Sequence, residues 1–393
     1  MRQPLLLLGS ILFAAFPLAA AAPPAPARPA GTPSPAAAPP PGQPRPELLA
    51  AFQRANERFV AGDYAGVVAL LAPLAKAADA PPPMRTLLAA AYLGLGRAAE
   101  AAAVVAPLAE SEQAGPALLF QAAQAAAALG DEAKAETYLR RAAVKDPTSL
   151  AARTLGMRRG GEGKLAEACG LLQPYAAAHA DDTDARLSAA FCSLDLGQAA
   201  TASALLEGLP ADEPRARLLR ARVALQQGHP DEAIAQLSPL AANPPAVVAH
   251  DLRRNLAEAY LEVGKADEAA KLLAGKTAGD VNLSLLLARA KQQGGDPAGV
   301  VTVVAPFAGQ LTAPAPPAAD RQVLAAMALE WGRALVTLQR WGEAVTALQA
   351  ATRLDAASAP AWQALVQALR GAGRSAEAEQ ALARFREASA AKP

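Results

Sequence analysis

A glycine returns along this 393-residue chain at intervals of about 34 residues, each time between two stretches whose apolar residues are spaced for a helix. The segment Gly130 to Pro147 sets the numbering, with Gly130 as position 15, Ala135 as 20, Leu139 as 24 and Pro147 as 32. Position 15 then reads Gly62, Gly96, Gly130, Gly163, Gly197, Gly228, Gly264, Gly295, Gln339 and Gly373, glycine in nine of ten copies. Position 20 stays small, as at Ala101, Ala202 and Ala344, and position 24 is Leu or Val, as at Leu71, Leu237 and Leu348. On the preceding stretch, position 8 is Ala or Gly in nine copies and Val366 in the tenth. An alanine-rich composition does not by itself hold four columns in register through ten copies.

Each column has a physical reason. Glycine can take positive φ at the end of one helix and let the chain reverse into a second. Small residues at 8 and 20 let the two helices cross closely, and the Leu or Val at 24 fills the space behind the crossing. One such hairpin cannot bury its own apolar faces, so the pattern predicts an all-α chain of stacked helical hairpins, an α-α superhelix.

These columns resemble the tetratricopeptide repeat family, over about 46 to 385. The resemblance implies a right-handed solenoid whose first helices line a concave groove that receives partner peptides or proteins. The family's aromatic at position 11 appears only as Tyr92 and Tyr260, its tryptophan at position 4 as Trp362 and its terminal proline as Pro147. Position 26 departs further, with Pro73, Pro107, Pro174, Pro239 and Pro306 inside the second helix and Gly208 and Gly275 in two others. Proline there removes a backbone donor at a cost of about 3 kcal/mol, so the second helix is expected to kink or stop near this point in most copies.

The N-terminal run MRQPLLLLGSILFAAFPLAAAAPP has one arginine, an uncharged apolar stretch and small residues in the A-x-A spacing, which reads as an export signal over 1–22. An uncleaved membrane anchor is the alternative. Residues 23–46 are nearly all Pro and Ala and read as a stiff linker. Copies one to eight then occupy 47–308, a proline-rich segment 309–319, copies nine and ten 320–388, and a tail 389–393. The 309–319 insertion reads either as a loop or as a boundary between two sub-arrays. Lys plus Arg number 37 against 36 Asp plus Glu, a balance that gives no case for nucleic acid. Membrane contact is expected only if the N-terminal segment is retained.

Cys169, at position 21 of the fourth copy, and Cys192, at position 10 of the fifth, fall on neighbouring antiparallel helices at similar heights. A disulfide between them is feasible in an exported chain, the alternative being two small buried residues. No catalytic pattern is present, and the three histidines, His179, His229 and His250, fall in turns or at a copy boundary. The chain is therefore expected to be non-enzymatic, with no cofactor or metal.

By the resemblance, positions 2, 5, 9, 12 and 13 of the first helices face the groove. Phe52, Asn56, Phe59, Phe120 and Gln124 line it in the early copies. From the sixth copy the lining becomes charged: Arg222, Arg254, Glu258, Arg289 and Arg333, continued by Gln292, Gln363 and Gln367. Such a row can grip carboxylates of an acidic or C-terminal peptide through bidentate hydrogen bonds, or can be ordinary solvated helix surface. The expected role is a scaffold or adaptor of the bacterial cell envelope, periplasmic or secreted. Its rival is a membrane-tethered spacer without a peptide ligand.

Overall fold

Paired helices follow the repeat register throughout the computed structural model, which describes residues 46–77, 80–313 and 320–390. The export signal and the linker to residue 45 lie outside the described residues, as do 314–319 and 391–393. The chain divides into two compact units, 1–207 and 208–393. Among the described residues there is no strand, and no helix is long and apolar enough to cross a membrane.

The first unit holds α1 (Pro46–Val60), α2 (Tyr64–Leu71), α3 (Pro82–Gly94), α4 (Ala98–Ala109), α5 (Pro116–Ala128), α6 (Glu132–Lys145), α7 (Leu150–Gly161), α8 (Leu165–Ala178), α9 (Thr183–Asp195) and α10 (Ala199–Leu206). The second holds α11 (Pro214–Gln226), α12 (Pro230–Ala241), α13 (Ala249–Glu262), α14 (Ala266–Leu273), α15 (Val281–Gln293), α16 (Pro297–Val304), α17 (Ala308–Thr312), α18 (Arg321–Thr337), α19 (Trp341–Leu354), α20 (Ala359–Gly371) and α21 (Ser375–Ala390). The described part of the 309–319 insertion thus begins as the short helix α17.

Every position-15 glycine sits at positive φ, from 71° at Gly96 to 82° at Gly130. Gln339 takes the same conformation at 57°, the one positive-φ residue other than glycine among the described residues. The backbone at this point is therefore set by the hairpin and not by the residue that occupies it. Gln339→Gly is expected to stabilise the second unit by about 1 kcal/mol, because a side chain is strained in the left-handed region. A guanidinium melt followed by tryptophan fluorescence reads this, all three tryptophans lying in the second unit.

At position 26 four second helices stop and three run on. Helices α2 and α16 stop two residues before Pro73 and Pro306, whereas α4, α8 and α12 run through Pro107, Pro174 and Pro239. Glycine ends a helix here as effectively: α10 stops before Gly208 and α14 before Gly275, at φ of 74° and 67°. Proline costs one backbone donor and can be carried through, but a positive φ cannot belong to a right-handed helix.

Carbonyls at the ends of second helices are taken up by long side chains. Arg85 donates to the Ala75 and Ala77 oxygens at 3.2 and 2.9 Å, and Arg186 to those of Leu205, at 3.0 Å, and Glu207. Trp362 donates its indole N–H to the Ala356 oxygen at 2.9 Å. All three occupy position 4, so arginine does the work of the tryptophan: satisfying orphan carbonyls of a helix end. Arg141 does the same from position 26, reaching Ala109 at 2.6 Å and Ser111 at 2.8 Å.

Candidate functional site

Within each unit successive first helices touch along one side: α1 with α3, α5, α7 and α9 in turn, and α11 with α13, α15, α18 and α20 in turn. Position 9 therefore forms a row, and in the second unit it reads Arg222, Glu258, Arg289 and Arg333 across α11, α13, α15 and α18. Arg254 lies one turn before Glu258 and shares its face.

The five residues predicted from sequence are brought together, with a sixth that sequence reasoning missed. Glu330 on α18 is buried, and its Oε1 stands 3.9 Å from Arg289 Nε and 3.8 Å from Arg333 Nη1. Those distances fall outside hydrogen-bond range. Both guanidinium groups are nearly half exposed, with side chains 45% and 43% accessible. Glu258 is half-buried and makes no ion pair within 4.0 Å among the described residues. Charges alternate along the row, with four arginines facing two glutamates.

Both carboxyls are held above the usual carboxylate range. For Glu258 the main cause is burial; Arg254 opposes it, Glu262 adds to it, and Arg289 and Arg222 oppose it more weakly. For Glu330 burial is again the main cause, opposed by Arg333 and Arg289. Desolvation wins because the guanidinium groups stand off rather than donating hydrogen bonds. Two further polar atoms on α15 and α18, Gln292 Oε1 and Trp331 Nε1, are buried without a hydrogen-bond partner. Glu330 had a faint sequence signal: a single acid inside the apolar run LAAMALEWGRAL, three residues before Arg333.

The remaining predicted groove residues divide. Phe52, Phe59 and Phe120 pack partly against the core of the first unit. Gln124 lines an open cavity of about 490 Å³ with Tyr64, Leu93, Gly94 and Ala127. Gln363 and Gln367 are exposed on α20. Cys169 and Cys192 are joined as a disulfide between α8 and α9, with Cα atoms 5.7 Å apart. The histidines stay dispersed: His179 stacks on Tyr175, His229 lies 3.6 Å from Glu232, and His250 lies 2.6 Å from Asp280. No cluster of three metal-ligating side chains exists among the described residues.

What decides the repeat type is how its columns meet. A Cβ at Gly156, position 8, would stand 2.7 Å from Leu172 Cγ, position 24 of the same hairpin. One at Gly332 would overlap Leu348, the same pair of positions five copies later. That contact is the one the resemblance to the tetratricopeptide repeat implies. No family model matches the chain, and no curated protein is similar to it. Among solved structures, the tetratricopeptide-type array is similar to Naa15/Naa10 bound to HypK-THB, at TM-score 0.40 and 12% identity, covering 88% of this chain and 64% of that one. The chain therefore spans less than two thirds of that structure's length. It is also similar to the P58(IPK) TPR domain, at TM-score 0.29 and 13% identity, covering 84% of this chain and 99% of that one. A tetratricopeptide repeat protein from Parabacteroides merdae matches at TM-score 0.30 and 14% identity, covering 72% and 98%.

Proposed function

We propose that the chain is a non-enzymatic scaffold that captures an acidic segment of a partner protein on the first-helix side of its second unit. The observation that carries this is the row of Arg222, Arg254, Arg289 and Arg333 gathered around two incompletely paired glutamates. The half-exposed side chains of Arg289 and Arg333, both beyond hydrogen-bond range of Glu330, are complementary to carboxylates and steer their approach. The apolar run and A-x-A spacing at the N-terminus support export, and with it a role in the cell envelope.

The test is equilibrium binding of a rhodamine-labelled deca-aspartate peptide to the full chain. R289E/R333E is expected to weaken binding by about 100-fold or more, since each reversal places a negative charge where a guanidinium stood. Unchanged binding, with helicity intact by circular dichroism, would reduce the arginine row to solvated surface.

A further inference from the structure

Tyr64, the first residue of α2, lays its ring on bare backbone. A Cβ at Gly94 on α3 would stand 2.7 Å from its Cδ2 and 2.8 Å from its Cε2, so a side chain at Gly94 would push the ring away. Phe59 closes on the same ring from α1, with centroids 5.2 Å apart and planes tilted by 58°. This platform is one wall of the open cavity of about 490 Å³, whose other walls are Leu93, Gln124 and Ala127. The lining carries no charged side chain, and its side-chain donors are the Gln124 amide and the Tyr64 hydroxyl. Val60, the last residue of α1, and Leu95 and Leu129, which directly follow α3 and α5, add exposed apolar side chains at the same helix ends.

A proline-rich chain matches such a surface. It offers flat apolar rings and backbone carbonyls, has few N–H groups that need acceptors, and gives up little entropy because it is extended beforehand. Residues 23–45 are of this kind: ten of the 23 are proline, and none is aromatic or acidic. They join the array at Pro46, the first residue of α1, and α1 touches both α2 and α3. The 15 residues of α1 span about 22 Å at 1.5 Å each, whereas an extended proline-rich chain advances about 3.1 Å per residue. About seven residues running back along α1 therefore reach the level of Tyr64, which sets Pro33 to Pro41 against the cavity.

We propose that the segment 23–45 docks into its own first unit, with Pro33 to Pro41 on the Tyr64 platform and Gln124 donating to a segment carbonyl. This docking involves the first unit alone and is independent of the arginine row. Tethering makes a weak fit sufficient. A short linker gives an effective concentration on the order of 1 mM, so a pocket with a Kd of about 0.1 mM for the segment is about ten parts filled to one empty. The docked segment covers the apolar first-helix side of the first unit and closes it to other extended apolar chains.

The experiment is hydroxyl-radical footprinting of the full chain, read by mass spectrometry at Tyr64, for the wild type and P33S/P35S/P39S/P40S/P41S. All five positions precede α1, so helicity by circular dichroism is expected to be the same in both. Tyr64 is expected to oxidise about tenfold faster in the serine variant, the ratio of filled to empty pocket. A further full chain carries benzoylphenylalanine in place of Ala37, and on illumination it is expected to crosslink to peptides of α2, α3 or α5 at the mass of a single chain. Equal Tyr64 rates overturn the proposal. So does a chain that forms no crosslink, or one whose crosslinks fall outside α2, α3 and α5. Crosslinks that join two chains overturn it as well, by giving the cavity to a neighbouring copy.

Discussion

Leu348→Ala is expected to cost the second unit about 2–5 kcal/mol and Gly332→Ala about 1–3 kcal/mol, while the two together cost markedly less than their sum. Leu348 is fully buried, and its side chain fills the space that a Cβ at Gly332 would need. Leu348→Ala therefore removes packed methyl groups and leaves a cavity beside a glycine. Gly332→Ala alone forces the Leu348 side chain, and the crossing of α18 and α19 with it, to give way. That strain outweighs the gain of about 1 kcal/mol that alanine brings to a helix interior. In the Leu348→Ala background the obstacle is gone, so alanine at 332 should become neutral or stabilising. Trp331 and Trp341 flank this contact in sequence, so guanidinium melts followed by tryptophan fluorescence read it directly. Additive losses in the double variant would mean that positions 8 and 24 do not meet as the structure has them.

That coupling was legible in the sequence because one contact is repeated ten times. A small residue at 8 and a Leu or Val at 24 are informative only as columns; in one copy they are an alanine and a leucine on two helices. The turn was legible for the same reason, to the point that Gln339 adopts the glycine conformation because its position demands it. At position 26 the expected stop is met before Pro73 and Pro306, whereas the stops before Gly208 and Gly275 depend on a positive φ that sequence does not print. Position 4 was read as a loss of the family tryptophan, yet Arg85 and Arg186 supply the same donors to helix-end carbonyls.

The candidate site was legible by position but not by depth. Arg222, Glu258, Arg289 and Arg333 fall in one column, and the structure sets their helices side by side. Glu330 lies at position 6, outside the groove columns, and enters the site only because α18 packs against α15. Its environment is a property of that packing. Sequence showed one acid in an apolar run, whereas the structure shows which two arginines approach it and how far they stop short.

Loss of the Cys169–Cys192 bond is expected to destabilise the first unit by roughly 3 kcal/mol, from the chain entropy released when a link across 23 residues is opened. The turn that this link spans also has a polar fastening. Asp182 accepts from Arg153 Nε at 2.5 Å, from the Ala185 amide at 3.0 Å and from the Tyr175 hydroxyl at 3.2 Å. Burial pushes the Asp182 carboxyl up, but these donors, Arg153 foremost, outweigh it and hold it below the ordinary range. A carboxyl depressed in the folded state contributes stability that is present above its unfolded pKa and is lost as pH falls through its folded one. At pH 7 both fastenings act; at about pH 3, below the unfolded value near 3.9, the polar one weakens and the covalent one carries the junction. C169A/C192A is therefore expected to lose helicity around pH 3 where the oxidised wild type keeps it, and to differ less at pH 7. Hydrogen exchange localises the effect, with amides of α8 and α9 opening first in the variant, because a repeat array transmits a local loss only to its neighbours. Equal acid sensitivity in the two proteins would show that the Asp182 cluster holds the turn unaided.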